Sequence, residues 1–208
     1  MRGKFVSIEG IDKCGKSTHA KLLAEWLRSR GHEIVITDEP TDSAIGKMIK
    51  QILQGELEVP IEIEALLFAA DRVQHVVNLI NPALQEGKVV ISERYVHSSL
   101  AYQSARGLSM SWIKKINKYV PEPDLTILID VPTKVASYRA RPSRRPDEFE
   151  KDIALQERVR RNYLHIAGQE ELKIVDGSRS RDEVQADIRK LVSALVITCL
   201  SAPRKAGS

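Results

Sequence analysis

The chain has 208 residues, of which 42% are hydrophobic and 29% are charged. This length and balance are typical of one globular domain with a substantial core, and they exclude a disordered or fibrous protein. Two cysteines, Cys14 and Cys199, are too few for a disulfide framework or a zinc cluster. No apolar run approaches the roughly 20 residues that span a bilayer, and the first residues do not resemble a signal peptide. We therefore expect a cytoplasmic protein without membrane contact, built as a single domain over residues 1–208.

The net charge of +4 is concentrated in one part of the chain. Residues 134–161 contain nine Lys or Arg and five Asp or Glu, so the remainder is neutral overall. Such a basic segment is typical of contact with nucleic acid, an anionic surface or a small phosphorylated ligand. Aromatic residues make up only 5% of the chain, which disfavours a stacking platform for nucleic acid. Small phosphates are the favoured ligands.

Apolar strand-like segments alternate with helical ones along the chain. The pattern predicts strands at residues 5–9, 33–37, 88–92, 125–130 and 172–176. It predicts helices at residues 17–30, 43–54, 61–80, 132–139, 151–167 and 181–200, with Pro82 bending or restarting the third. This alternation indicates right-handed crossovers and a parallel sheet covered by helices on both faces. Ligands of such sheets bind at the carboxyl ends of the strands.

A complete G-x-x-x-x-G-K-[ST] pattern follows the first predicted strand, at residues 10–17. Its glycines let backbone N–H groups face a polyphosphate at the start of a helix, whose dipole favours anions. Lys16 would reach the β- and γ-phosphates and Ser17 would bind Mg²⁺. The predicted ATP-binding residues of this segment are Gly10, Ile11, Asp12, Lys13, Cys14, Gly15, Lys16, Ser17 and Thr18. The predicted fold is therefore α/β, a three-layer P-loop NTPase fold with a five-stranded parallel sheet.

The phosphate loop alone does not specify the reaction. A GTPase usually carries an Asn-Lys-x-Asp motif, and residues 117–120 (Asn-Lys-Tyr-Val) lack its aspartate. A short chain with a late basic loop favours a small-molecule kinase. A catalytically weak nucleotide-binding protein that signals to a partner stays open as an alternative.

Two further segments resemble one family of kinases. They are residues 68–72 (Phe-Ala-Ala-Asp-Arg) and residues 92–103 (Ser-Glu-Arg-Tyr-Val-His-Ser-Ser-Leu-Ala-Tyr-Gln). Together with the phosphate loop and Glu39-Pro40, they resemble thymidylate kinase, and the resemblance extends over residues 4–190. The resemblance implies transfer of phosphate from Mg·ATP to dTMP, giving dTDP and ADP in dTTP biosynthesis. It also implies a homodimer formed through helices of the first half. A kinase for another nucleoside monophosphate or for a deoxynucleoside remains the alternative within this class.

The resemblance assigns acceptor-binding roles residue by residue. Phe68 would stack on thymine, and Arg72, one helical turn later, would donate a hydrogen bond to its O4. Arg94 would bind the dTMP phosphate bidentately. The remaining predicted contacts, with the base edge or the sugar, are Asp12, Ser99, Tyr102 and Gln103. Without the resemblance, Phe68 would be interpreted as a core aromatic, Arg72 as part of an intrahelical pair, and Asp12 as a turn-stabilising aspartate.

Two departures from the family pattern concern the metal and the acceptor phosphate. Glu93, at the end of the third strand, is predicted to hold Mg²⁺ or its waters, where most relatives have aspartate. Many relatives have an arginine near the Glu-Pro pair that touches the acceptor phosphate, whereas residues 38–42 contain none and the nearest base is Lys47. Either Arg94 and Lys13 suffice for this phosphate, or acceptor affinity or specificity is altered.

The basic, proline-rich residues 139–150 are predicted to form a mobile lid over the transferring phosphate. Within it Arg141, Arg144 and Arg145 are the catalytic candidates, beside Lys16, Glu93 and Arg94. Arg139 is predicted to stack on adenine, and Ser178 and Arg179, after the fifth strand, to hold the adenine base. Residues 201–208 are predicted to be a flexible tail.

Overall fold

A computed structural model describes residues 2–139 and 153–200, with side chains up to residue 196 at the C-terminal end. Its centre is one five-stranded, all-parallel sheet in the order β2-β3-β1-β4-β5. The strands are β1 Lys4–Glu9, β2 Ile34–Asp38, β3 Val89–Glu93, β4 Leu125–Asp130 and β5 Lys173–Asp176. The predicted α/β fold with a five-stranded parallel sheet is confirmed. All five strands lie within one residue of their predicted bounds at each end.

Helices connect the strands and cover the sheet. They are α1 Lys16–Arg28, α2 Ala44–Leu53, α3 Ile61–His75, α4 Asn81–Gln85, α5 Val96–Ala105, α6 Met110–Ile116, α7 Thr133–Arg139, α8 Ile153–Gln169 and α9 Arg181–Leu200. No helix in the described part of the chain is both long and apolar enough to cross a membrane. The predicted lid is described only at Arg139, and the predicted tail lies outside the described residues.

The third predicted helix, residues 61–80, is interrupted by a change of helical type. After α3 a π-helical segment, Val76–Ile80, adds one residue to the turn, and α4 then begins at Asn81 with Pro82 in its first turn. A proline is tolerated there because the first turn needs few of its own N–H groups. The helical chain therefore continues past its predicted end at residue 80, and a new α-helical segment begins one residue before Pro82.

Helix α5 has no counterpart among the helices predicted from periodicity. The structure buries seven consecutive residues of it, from His97 to Gln103. Because the helix is buried on every side and carries polar groups on several of them, it lacks the single apolar stripe that marks a surface helix. Its sequence stood out only as a motif.

Two apolar clusters fill the space on either side of the sheet. Alternate residues of the strands point to opposite faces, so Val6 and Ile91 join the larger cluster while Phe5 and Val90 join the smaller. The larger cluster includes side chains from α1, α5, α8 and α9. The smaller one packs the π-helical segment and α4 against the sheet, with the ring of Tyr95 edge-on to Phe5. This core fixes the carboxyl edge of the sheet.

Every strand ends on a carboxylate at that edge. The last residues are Glu9, Asp38, Glu93, Asp130 and Asp176 in β1 to β5. The phosphate loop, the segment before α5 and the loop before α9 all leave the sheet there. The candidate site is therefore built on an edge where carboxylates and neighbouring basic side chains meet.

Candidate active site

The loop between β1 and α1 takes a conformation that depends on its glycines. Gly10 has φ +145° and Gly15 has φ +105°, values that side chains disfavour. A Cβ atom on Gly10 would lie 2.6 Å from the carbonyl oxygen of Ile129 and 2.7 Å from Sγ of Cys14. Lys13 also has a positive φ, 61°. The backbone between β1 and α1 is thus curled tightly against β4.

Lys16 lies inside this loop and is buried. Its Nζ donates to the carbonyl oxygens of Gly10 at 3.1 Å and of Ile11 at 2.9 Å. Ser17 and Thr18 are exposed on the first turn of α1, where N–H groups and the helix dipole favour an anion. The loop therefore has an ammonium group at its centre and hydroxyls at its helical end.

Cys14 is the loop's thiol, and its side chain is buried. Burial raises the pKa of this thiol because a thiolate would lose its hydration there. A cysteine that stays protonated is a poor nucleophile. Cys14 therefore packs inside the loop.

A cavity adjoins the loop and collects the predicted acceptor-binding residues. It is lined by Asp12, Glu39, Pro40, Leu53, Phe68, Arg72, Arg94, Ser98, Ser99, Tyr102 and Gln103. The seven residues predicted to contact the acceptor are all in this set. They come from the phosphate loop, from α3 and from the β3–α5 segment.

Arg72 is the most buried residue of the cavity wall, with 1% of its surface exposed. Its Nε donates to Glu39 at 2.8 Å, and its Nη1 donates to Asn117. Its Nη2 donates to the carbonyl oxygen of Tyr95 at 3.2 Å and to Oγ of Ser99 at 3.0 Å. Four of the five guanidinium hydrogens thus have partners within the described chain, and the fifth, the second hydrogen on Nη1, takes part in none of these bonds.

The residue before Arg72 in the chain has a different task. Asp71 accepts from the backbone N–H of Thr41 at 2.8 Å, from the Thr41 hydroxyl at 2.6 Å and from the Ser43 hydroxyl at 2.7 Å. Ser43 in turn caps α2 by accepting from the N–H of Gly46 at 3.0 Å. Asp71 therefore anchors the loop before α2, and Arg72 pairs with Glu39, which follows β2, rather than with a residue of its own helix.

Arg94 follows β3 and has a strained backbone, with φ 70°. The strain is held by a hydrogen bond from its N–H to the carbonyl oxygen of Ile8 at 3.0 Å. Its guanidinium pairs with Asp12 and donates to Oγ of Ser98 at 3.2 Å. Proteins retain such backbone strain mainly at functional sites, and here it aims the guanidinium across the cavity at the phosphate loop.

Asp12 connects the phosphate loop to the cavity. Its Oδ2 accepts from Nε2 of Gln156 at 2.8 Å, and its backbone N–H donates to Oε1 of the same side chain at 3.3 Å. Burial alone would raise the pKa of the Asp12 carboxyl, but the charges of Arg94 and Lys16 lower it below its usual value. Asp12 is therefore a fixed carboxylate, paired with Arg94 and held by α8.

Three buried side chains, Glu9, Ser98 and Tyr163, form a hydrogen-bonded group beside Arg94. Ser98 Oγ donates to Glu9 at 2.7 Å and lies 2.8 Å from the hydroxyl of Tyr163, which itself donates to Glu9 at 3.0 Å. The other Glu9 oxygen is buried without a partner in the described chain. This group fixes the hydroxyl that accepts from Arg94.

Tyr102, Gln103 and Phe68 complete the wall. Burial raises the pKa of the Tyr102 phenol, so it stays protonated, and its hydroxyl donates to Gln156 at 3.4 Å. Gln103 Nε2 donates to Glu64 at 3.4 Å, and the Gln103 carbonyl oxygen is buried with no partner among the described residues. Phe68 is half-buried and presents its ring to the cavity rather than to the core clusters.

Glu93 lies at the end of β3, between the ends of β1 and β2. It is paired in register with Ile8 on one side and with Asp38 on the other. Burial, and the charge of Glu93 beside it, raise the pKa of the Asp38 carboxyl. Asp38 and Asp42 make the β2–α2 loop acidic, and Lys50 pairs with Asp42 at 2.6 Å.

The loop after β5 holds the residues predicted to bind adenine. Ser178 is bound to Asp176 through its N–H at 2.9 Å and its hydroxyl at 2.5 Å. Arg179 pairs with Asp187 of α9. Ser180 and Glu183 exchange hydrogen bonds and form a capping box at the start of α9. Hydrogen bonds thus hold this loop at the same sheet edge as the phosphate loop.

Four of the predicted site residues belong to the lid. Arg139 is exposed at the end of α7. Arg141, Arg144 and Arg145 lie outside the described residues.

Sequence reasoning missed several side chains that build the site. Glu39 belongs to the predicted motif without a predicted role, and the sequence predicts no site role for Ser98, Asn117, Gln156 or Tyr163. Gln156 and Tyr163 lie on the buried stripe of α8 with Leu155, Val159 and Ile166. A glutamine within an otherwise apolar stripe was the available signal. The other residues are buried by contacts between distant segments.

Comparison with known proteins gives one consistent family. The family model described as thymidylate kinase matches residues 8–188. A probable thymidylate kinase of Pyrococcus horikoshii is 48% identical over 198 residues, covering 92% of this chain and 97% of that protein. A probable thymidylate kinase of Pyrococcus abyssi is 49% identical with the same coverage, and a thymidylate kinase of Halothermothrix orenii is 38% identical over 95% of this chain and 100% of its own.

These matches cover nearly the whole chain, including the phosphate loop, the cavity wall and the loop after β5. They agree with the geometry of the site, in which a phosphate loop and the adjoining cavity share one arginine–aspartate pair. The chain belongs to the thymidylate kinase family.

Proposed function

We propose that this protein transfers the γ-phosphoryl group of ATP to dTMP, giving dTDP and ADP, with Mg²⁺ as cofactor. The observation that carries the proposal is that one cavity beside the phosphate loop is lined by all seven residues expected to bind the acceptor. The family match and the relatives' names favour dTMP over the other acceptors and over a non-catalytic role. A kinase that acts on nucleotides would work in the cytoplasm. Residues 1–208 would form its single domain.

On the donor side, Lys16 would bind the β- and γ-phosphates. Its ammonium already lies within the loop, hydrogen-bonded to two carbonyl oxygens. Backbone N–H groups and the start of α1 would bind the remaining phosphate oxygens, and Ser178, Arg179 and Arg139 would border the adenine. Phosphoryl transfer depends mainly on positioning and charge neutralisation, which this arrangement supplies. Arg141, Arg144 and Arg145 are proposed to add charge from the lid.

The donor set fits Mg²⁺, which prefers oxygen ligands and keeps several waters. Ser17 would offer a hydroxyl and Glu93 a carboxylate, directly or through water. The described residues contain no group of three or more acidic, histidine or cysteine side chains suited to a metal. This agrees with an ion held largely by phosphates and water. When bound, the ion would neutralise charge on the transferring phosphate.

At the acceptor phosphate, Arg94 would bind the dTMP oxygens while its pairing with Asp12 keeps the guanidinium beside the loop. The acceptor oxygen is already ionised at neutral pH, so no general base is required. Asp12 would also approach the sugar. The loop before α2 supplies no arginine for this phosphate. Arg94 would therefore bind it, and Lys13 of the phosphate loop is the other basic residue nearby.

At the base, Arg72 would donate its fifth N–H to O4 of thymine, and Phe68 would stack on the ring. Gln103 and Ser99 would contact the base edge. Tyr102 would fill the space beside the sugar's 2′ carbon, where its buried phenol would crowd a ribose hydroxyl. Because every one of these side chains except Phe68 is buried and hydrogen-bonded, the cavity is preformed.

A homodimer through α3 is part of the proposal. Four apolar side chains of this helix and the π-helical segment after it are exposed: Ile63 at 46%, Leu66 at 48%, Val73 at 37% and Val77 at 61%. Their spacing of three, seven and four residues forms one stripe along the helix. A stripe of this kind is typical of a protein interface. The substitution Leu66→Glu should convert the dimer to a monomer by light scattering, whereas Gln169→Glu, at an exposed position at the end of α8, should not.

The test of the function is ADP release with Mg·ATP against dTMP, dUMP, UMP, dCMP, dGMP, AMP and thymidine. The proposal predicts a marked preference for dTMP. Activity mainly on another monophosphate would keep the kinase and refute the specificity. Activity on thymidine alone would contradict the phosphate-binding role of Arg94. If no acceptor gives ADP release although ATP still binds, the nucleotide-binding alternative would be favoured.

A further inference from the structure

A buried chain of hydrogen bonds joins the base-reading arginine to strand β2. Arg72 Nε donates to one oxygen of Glu39 at 2.8 Å, and the other oxygen accepts from Nδ1 of His75 at 3.1 Å. The second ring nitrogen of His75, Nε2, lies 2.7 Å from the hydroxyl of Thr37. Arg72, Glu39 and His75 are 1%, 4% and 5% exposed.

The hydrogen positions follow from the chemistry of the groups. A carboxylate can only accept, so Nδ1 of His75 carries a hydrogen. Nε2 then accepts from the Thr37 hydroxyl when the ring is neutral and donates to it when the ring is charged. In both states the two oxygens of Glu39 are bound on opposite sides. The carboxylate is therefore held against rotation.

The same helix supplies both ends of this restraint. Arg72 and His75 are three residues apart on α3 and therefore share a face. Asp71, the residue before Arg72, binds Thr41 and Ser43 in the loop that follows Glu39. The chain on both sides of Glu39 is thus bound to α3, and Glu39 in turn is bound to the Arg72 guanidinium.

We infer that His75 is a positioning residue for acceptor recognition: by fixing Glu39 it aims the Arg72 guanidinium at the C4 substituent of the pyrimidine. The inference rests on the proposed function. Stability alone gives no reason for such an arrangement, because a buried ion pair contributes about as much as apolar side chains of equal volume. A fixed orientation of the guanidinium does give a reason for the arrangement. An N–H aimed at the C4 position donates to the carbonyl oxygen of thymine, whereas in cytosine it meets an amino group that cannot accept.

The matched variants are His75→Asn and His75→Leu. Asparagine can place its Nδ2 hydrogens close to where Nδ1 of histidine lies, so it can still donate to Glu39. Leucine has a similar volume and cannot donate. The measured quantity is the ratio of kcat/KM for dTMP to that for dCMP, together with KM for ATP and the melting temperature.

We expect His75→Leu to lower the dTMP/dCMP ratio about 10-fold or more, mainly through KM for dTMP, with KM for ATP unchanged. His75→Asn should keep the ratio within about 3-fold of the native value, since about 0.6 kcal/mol corresponds to that factor. Thr37→Val breaks only the outer bond and should lower the ratio by a smaller factor than His75→Leu does. If His75→Leu does not fold, His75→Asn and Thr37→Val carry the test.

Two results would overturn the inference. One is a native ratio in His75→Leu, or in Thr37→Val if only that variant folds. The other is an equal loss in His75→Asn and His75→Leu, which would assign the effect to the ring's shape. These outcomes differ from failure of the proposed function, because that failure would appear in the native protein as no preference for dTMP.

Discussion

The phosphate loop and the acceptor cavity are built in different ways. Eight consecutive residues make the loop, and its shape depends on backbone angles at Gly10 and Gly15. The cavity is assembled from the loop, α3 and the β3–α5 segment, and side-chain hydrogen bonds between buried charges hold its shape. A motif of contiguous residues is therefore sufficient for binding phosphate, whereas recognition of one base requires tertiary contacts.

This difference predicts that the two regions fail in different ways when they are changed. Substitutions in the loop should affect every acceptor equally. Substitutions in the cavity wall should affect acceptors unequally. Asp12 and Arg94 form the boundary, because they line the cavity and contact the loop.

The largest effect is expected for Lys16→Ala. Removing the ammonium that neutralises the β- and γ-phosphates should lower kcat about 100- to 1,000-fold or more for every acceptor, with little change in melting temperature. Lys21→Ala, at an exposed position on the same helix, is the control and should have native rates. Native turnover in Lys16→Ala would contradict the role of the loop.

Arg72→Ala should lower kcat/KM for dTMP about 10- to 100-fold, because a hydrogen bond from a charged donor is lost. The loss should be smaller for dCMP, whose C4 amino group does not accept from Arg72. Steady-state kinetics with both acceptors give the comparison. Equal losses for the two acceptors would remove the base-reading role from this residue.

Gly10→Ala tests the backbone side of the comparison. The added Cβ would lie 2.6 Å from the Ile129 carbonyl oxygen at a φ that side chains disfavour, so we expect a loss of about 2–4 kcal/mol in the free energy of unfolding. Gly31→Ala has positive φ but no atom within 4 Å of its Cβ, and it should cost only about 1 kcal/mol. Chemical denaturation measures both, and similar losses would show that the loop tolerates a side chain at Gly10.

The smallest effect is expected for Asp38→Asn. The folded-state pKa of Asp38 is raised, so its ionised form opposes folding above its ordinary pKa, and this opposition vanishes as the pH falls below it. The substitution should therefore stabilise the protein at pH 7, by no more than about 0.5 kcal/mol because water screens this partly exposed carboxylate, and not at pH 3. Glu56→Gln, at an exposed position, is the control. A gain that is as large at pH 3 would contradict the electrostatic explanation.

The sequence allowed the sheet to be predicted strand by strand because each strand is a short apolar run bounded by turns. It also allowed the phosphate loop to be predicted in full, since all its determinants are local. Helix α5 escaped prediction by periodicity because it is buried on all sides. Asn117 and Gln156 could not be predicted as site residues, because their partners, Arg72 and Asp12, lie 45 and 144 residues away in the chain.

The roles assigned to Phe68, Arg72 and Tyr102 came from a resemblance to the family. No local pattern distinguishes a cavity-lining arginine from a surface one. What the structure adds is the reason for the burial of Arg72: Glu39, Asn117, Tyr95 and Ser99 accept four of its hydrogens, so the charge can lie buried in the cavity wall.

Calorimetry on the native protein, Lys16→Ala and Arg72→Ala, with ATP and dTMP bound separately, decides whether the loop and the cavity are separate binding regions. We expect Lys16→Ala to weaken ATP binding and to leave the affinity for dTMP near its native value. Arg72→Ala should weaken dTMP binding and leave the affinity for ATP near its native value. If both variants weaken both ligands to the same extent, the loop and the cavity do not act as separate binding regions.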